Sequence, residues 1–151
     1  MKFGDAVTAV AAYAVLQVLI AFPITLVAVP ALGVTMYTYY FAGLTAAFLS
    51  MLTVGYLFSQ QIREDRRDAI LRIIVLTAFY EILVVIFQPT LADWAALTKQ
   101  PYAGTPVNTA EWFLYDLSRR GNMVYSILIT MGLSALALHL GSKLKKTSKP
   151  K

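Results

Sequence analysis

The sequence predicts an all-α integral membrane protein, a four-helix bundle with both termini on the cytoplasmic side and short interfacial helices in one outer loop. Three observations predict it. Four long apolar runs alternate with short polar segments. Only 14% of the 151 residues are charged while 58% are hydrophobic, against roughly 25% charged in soluble domains. Lys and Arg are also divided unevenly between alternate connections, the pattern that sets orientation in a membrane. A mean hydropathy of +0.64 agrees, and the length suits one membrane domain spanning 1–151.

The first run covers 6–29 and holds no charged residue. Asp5 stands where a helix N-cap would, Pro30 is placed to end the helix, and Pro23 to kink its last turns. The run is longer than the apolar core of a signal peptide, and its only positive lead is Lys2, so cleavage is not expected. The second run, 36–58, opens on the aromatic group Tyr37, Tyr39, Tyr40 and Phe41. The third, 70–87, is shorter, with Arg72 near its start and Gln88 at its end, both able to reach the interface. The fourth spans 121–141. At about 1.5 Å per residue, each crosses or nearly crosses a hydrocarbon core about 30 Å thick.

The connections differ in kind. Residues 60–68 read QQIREDRRD, a charged connector of good helix formers that favours extension of the flanking helices. The outer loop, 88–120, holds two helix signals. Thr90 is placed to cap a short helix carrying Trp94, and Asn108 with Glu111 forms a capping box ahead of Trp112, Phe113 and Tyr115. Pro101, Gly104 and Pro106 break the chain between them. Residues 142–151 form a basic tail. Four spans put Lys2, Arg63, Arg66, Arg67, Arg72, Lys143, Lys145, Lys146, Lys149 and Lys151 on one side and Lys99, Arg119 and Arg120 on the other. Ten against three places both termini in the cytoplasm of a cell whose plasma membrane the chain crosses repeatedly.

One residue breaks the apolar pattern. Glu81 is the only ionisable side chain in the middle of any run, and a carboxyl at that depth is costly unless partnered or functional. It lies eleven residues past Ile70, about 16 Å into the span. Gln17 and Thr130 fall at about the same depth on the first and fourth runs, Ser50 close to it on the second, and Thr77 one turn before Glu81 on its own face. These five residues form the expected polar layer. Two roles are open to it: hydrogen bonding that fixes helix register, with Glu81 held by Gln17 or Thr130, or a proton or cation site.

Small residues suggest packing seams: Thr130, Ser134, Ala137 and Gly141 on the fourth helix, and Gly43, Ala46, Ala47 and Ser50 on the second. Arg119, Arg120, Lys143, Lys145 and Lys146 are the candidate contacts to lipid phosphate. His139 stands alone as a histidine and reads as a polar contact near the inner interface. With no cysteine, no paired carboxylates within a span and no nucleotide-binding or hydrolase motif, no catalytic residue, metal or cofactor is expected. The function expected is that of a non-catalytic accessory subunit of a larger membrane complex. The alternatives are a small oligomeric ion- or proton-coupled transporter using Glu81 and, more weakly, a quinone-pocket subunit. The expected partners are the bilayer and other membrane subunits or further copies of the chain, not nucleic acid.

Overall fold

A computed structural model describes residues 1–32, 36–87 and 123–144. These residues form five helices and no strand: α1 (Phe3–Leu32), α2 (Met36–Leu57), α3 (Ser59–Glu64), α4 (Arg66–Phe87) and α5 (Met123–Leu144). The helices expected in the outer loop, with Trp94, Trp112 and Arg119, lie outside the described residues.

Two helical stretches, Phe3–Leu32 and Ile127–Leu144, are long and apolar enough to cross a membrane. Among the described residues, Phe41–Leu57 of α2 is a shorter apolar stretch. Helix α4 opens on Arg66, Arg67 and Asp68, with Arg72 a turn later and Glu81 beyond, and these charges dilute its apolar character.

Helix ends depart from the sequence expectations in ways that hydrogen bonding explains. Asp5 is not the N-cap of α1 but sits in its first turn. There its Oδ2 accepts from the Lys2 backbone N–H at 3.2 Å, the reach back to the cap position that a third-position acid makes in a capping box. Pro30 does not end α1, which runs on to Leu32 with both Pro23 and Pro30 inside it. Proline's fixed φ is compatible with helix, and what each ring removes is one backbone hydrogen bond. Helix α4 starts four residues ahead of the expected apolar run, because the charged connector is itself helical, broken only at Asp65 (φ −144°, ψ 77°) between α3 and α4.

The four long helices pack in the cyclic order α1–α2–α5–α4. Helices α1 and α4 start, and α2 and α5 end, at the same end of the bundle, where α3 crosses it. The tightest approach is between α2 and α5. A Cβ on Gly55 would stand 2.6 Å from the Leu138 carbonyl oxygen, and one on Gly141 would collide with the Leu52 carbonyl oxygen and crowd Gly55 Cα. The expected seam on α5 is therefore used, with Ser134, Ala137 and Gly141 buried. On α2 the contact glycine is Gly55, not Gly43, which is exposed and has open space where a Cβ would stand. Gly55 completes the row Ala47, Met51, Gly55 at spacings of four, along the ridge by which two helices interlock.

Burial on α4 runs inside out. Ala69, Ile73, Thr77 and Glu81, each four residues from the last, face the interior, while Leu71, Val75, Phe79 and Leu83 form the exposed stripe. Along α1 only Ala6, Ala9, Tyr13 and Ala28 are buried, and Val15, Val18, Leu19, Phe22, Leu26 and Val27 face outward.

At the charged end, α3 closes the bundle. Arg63 donates through Nε and a terminal nitrogen to the Ser142 carbonyl oxygen at 3.1 and 2.9 Å, placing a cation on carbonyls that the last turn of α5 leaves unpaired. Replacing Arg63 by alanine is expected to cost about 1 kcal/mol and to raise amide exchange in the last turn of α5 only. Exchange that rises evenly along the helix would count against a capping role.

Candidate functional site

The candidate site is built where α1 and α4 lie side by side. Glu81 is 7% exposed. Its Oε1 accepts a hydrogen bond from the fully buried Tyr13 hydroxyl at 2.6 Å. Gln17, one turn beyond Tyr13 on α1, is its second side-chain hydrogen-bond partner. Tyr80, the residue before Glu81, sets its ring edge-on against Tyr13, centroids 5.8 Å apart and planes at 86°, a favourable arrangement of two ring quadrupoles. The tyrosine is thus held on both flanks, and its hydroxyl is aimed at one carboxyl oxygen.

Spacing explains the placement. Tyr13 follows Ala6 and Ala9 at intervals of three and four, so it continues the only buried stripe in the first half of α1. The small alanines of that stripe give way to the larger Tyr13, which fills the interior at the level of Glu81.

The remaining members of the expected layer are distributed differently. Gln17 joins Glu81 directly. Thr77 is buried on the Glu81 face, but its hydroxyl donates to the Ile73 carbonyl at 2.7 Å. Ser50 does the same to Ala46 at 2.6 Å. Both are back-bonded to their own helices, the usual resort of hydroxyls in apolar surroundings. Thr130 is 8% exposed, one turn before Ser134 on α5. Two residues of the site were not expected from sequence. Tyr13 could have been found from its spacing of four from Gln17, which puts both on one face of α1. From sequence Ser134 reads only as a packing residue. It is fully buried beside the Tyr13 hydroxyl, and its Oγ makes no hydrogen bond among the described residues.

A second polar group lies at the charged end. A terminal nitrogen of Arg66 sits 2.5 Å from His139 Nδ1 and 3.1 Å from Nε2. Arginine only donates, so the geometry suits a neutral ring with a lone pair at Nδ1. Ser142 Oγ donates to the His139 carbonyl at 2.9 Å, and Arg72 pairs with Asp68 at 2.6 Å on the exposed face of α4. Lys143 is exposed in the last turn of α5, while Arg119, Arg120, Lys145 and Lys146 lie outside the described residues.

Chemically, the site offers one carboxyl, two phenols and one amide from α1 and α4, with the Ser134 hydroxyl of α5 beside them. Among the described residues no three His, Cys, Asp or Glu side chains converge as a metal site would need. The arrangement is suited to sharing or moving a proton, or to holding two helices in register. Comparison with protein-family models, curated proteins and solved structures finds no match to this chain.

Proposed function

We propose that the chain is a four-span membrane bundle with both termini cytoplasmic, serving as a non-catalytic accessory subunit of a larger membrane complex, its helices locked in register by the Tyr13–Glu81–Gln17 contact. The observation that carries this reading is the inverted face of α4. Its outward stripe is Leu71, Val75, Phe79 and Leu83, with Phe79 66% exposed, while Thr77 and Glu81 point inward. In water that arrangement wastes apolar surface and buries the polar groups. In hydrocarbon it is the favourable one, since polar side chains of a span turn to the bundle interior. The pattern supports a lipid-facing role for α4 despite the charges that dilute its apolarity.

The outward apolar face of α1 supports the same reading, as does the gathering of Lys2, Arg63, Arg66, Arg67 and Lys143 at one end of the bundle. The accessory role is supported by the closure of the layer upon itself. The deep acid is engaged by two side chains of its own bundle, which fixes register at modest energetic gain.

The chain contains no cysteine, so single replacements report topology without background. Glu64→Cys is expected to react with an impermeant maleimide from one face of the membrane only, and Lys99→Cys from the opposite face only. Labelling of both from the same face would overturn the four-span arrangement. Gentle solubilisation should then yield the chain with a foreign membrane subunit in fixed ratio. Recovery as a monomer or homo-oligomer alone would overturn the accessory role.

A further inference from the structure

Arg66 passes over the acids beside it. Glu64 and Asp65 directly precede it, and Asp68, two residues on, is taken by Arg72 at 2.6 Å. No carboxylate pairs with Arg66 among the described residues. Its side chain crosses instead from the first turn of α4 to α5, where a terminal nitrogen meets the His139 ring. A neutral imidazole is a poor substitute for a carboxylate, because it accepts one hydrogen bond and returns no charge.

The result is a cluster of donors without an acceptor. A neutral ring that accepts from Arg66 at Nδ1 carries its own proton at Nε2. Lys143 follows His139 by four residues, which puts both on one face of α5, and it is exposed in the last turn. Lys143 also forms no ion pair among the described residues. Guanidinium, ring N–H and ammonium therefore offer donors only, with two positive charges left uncompensated. The ligand that suits them has oxygen acceptors and negative charge, the chemistry of a phosphate ester.

The surroundings decide which kind of phosphate fits. The cluster stands at the charged end of the bundle, where α4 begins and α5 ends. Leu140 and Leu144 are exposed on α5 beside His139 and Lys143, and Leu71 and Val75 are exposed along α4 beyond Arg66. Apolar surface next to a cationic cluster at a span end matches a lipid, with its headgroup on the cations and its chains on the leucines. The geometry points to a binding site for one anionic phospholipid of the cytoplasmic leaflet, its phosphate held by Arg66, His139 and Lys143 where α4 and α5 meet. Arg63 is engaged elsewhere, donating to the Ser142 carbonyl. Arg67 is as exposed as Arg66 but makes no hydrogen bond to α5 among the described residues.

This inference rests on the membrane-bundle reading, which the maleimide labelling tests separately, so a misplaced span and an unused site are distinct results. His139 is the only histidine of the chain, so isotope-labelled histidine gives a single ring to follow by NMR. The full chain in maltoside micelles is titrated with phosphatidylglycerol. The ring resonances should move to saturation, and should stay in place with phosphatidylcholine or with inorganic phosphate. Arg66→Gln and Lys143→Gln should each weaken phosphatidylglycerol binding about fivefold. Arg67→Gln removes the same charge one position away and should leave the binding nearly unchanged. A ring that does not respond to phosphatidylglycerol overturns the inference, as does one that phosphatidylcholine moves as far. An equal response to inorganic phosphate overturns the lipid assignment in favour of a soluble phosphate compound. Equal weakening by Arg66→Gln and Arg67→Gln also overturns it, since diffuse surface charge would produce that result without a site.

Discussion

Gly141→Ala is expected to cost the bundle about 3 kcal/mol, more than any other single added methyl among the described glycines. The new Cβ would meet the backbone carbonyl of Leu52 and Gly55 Cα. Neither is the end of a side chain that could swing away, so the helices themselves must separate. Separation loosens Met51, Val54, Ala137 and Leu138, all buried around the crossing, and in a bilayer such packing is the main source of helix association. Gly55→Ala meets the Leu138 carbonyl at the looser distance of 2.6 Å and should be the milder lesion of the pair. Gly43 and Gly132 have no atom within 4 Å of a built Cβ, and alanine at either is expected to stabilise by up to about 1 kcal/mol through helix propensity. The measurement is the folded fraction during titration of mixed micelles with a denaturing detergent. Equal midpoints for Gly141→Ala and Gly43→Ala would rule out a close crossing of α2 and α5 at Gly141.

Sequence reading located the helices because an apolar run of about twenty residues is a signal written along one dimension. Met36 and Phe87 mark helix ends in both reading and structure. Ends that depend on hydrogen bonds were less legible. Asp5 has the right chemistry for a cap but uses it from the third position of the helix, and the arginine-rich connector is helical on its own account. Glu81 stood out because one charge among apolar neighbours is conspicuous at any rotation of its helix. Its main partner did not. Tyrosine is unremarkable in an apolar run, and which face of α1 turns inward to meet Glu81 is a fact of three dimensions. The same holds for Gly55. Gly43 has the composition of a seam residue, yet the crossing point falls three turns further along α2. Ser134 could be seen as small and polar, but its unused hydroxyl becomes apparent only beside Tyr13.

Replacing Glu81 by leucine is expected to separate two properties that usually move together. Insertion of α4 should improve, since an acid at mid-span costs about 3 kcal/mol on insertion scales and leucine is favourable there. Association of the inserted helices should nonetheless weaken, by about 2 kcal/mol. Leucine offers nothing to the Tyr13 hydroxyl, now buried without its 2.6 Å acceptor, and Gln17 loses the same carboxyl. The inserted but unassociated chain already has α4 in lipid, so the gain in insertion applies equally to both sides of the association equilibrium and cannot offset this loss. Glu81→Gln behaves differently, because its amide oxygen can still accept from Tyr13, and it should fall within about 1 kcal/mol of the parent. The decisive measurement is a double-mutant cycle of Tyr13→Phe with Glu81→Leu, read by the same detergent titration. A coupling of about 1 kcal/mol or more would locate the lock in that one hydrogen bond. Additive effects would mean that the pair contributes shape alone, and that the register of α1 on α4 is held by the surrounding packing instead.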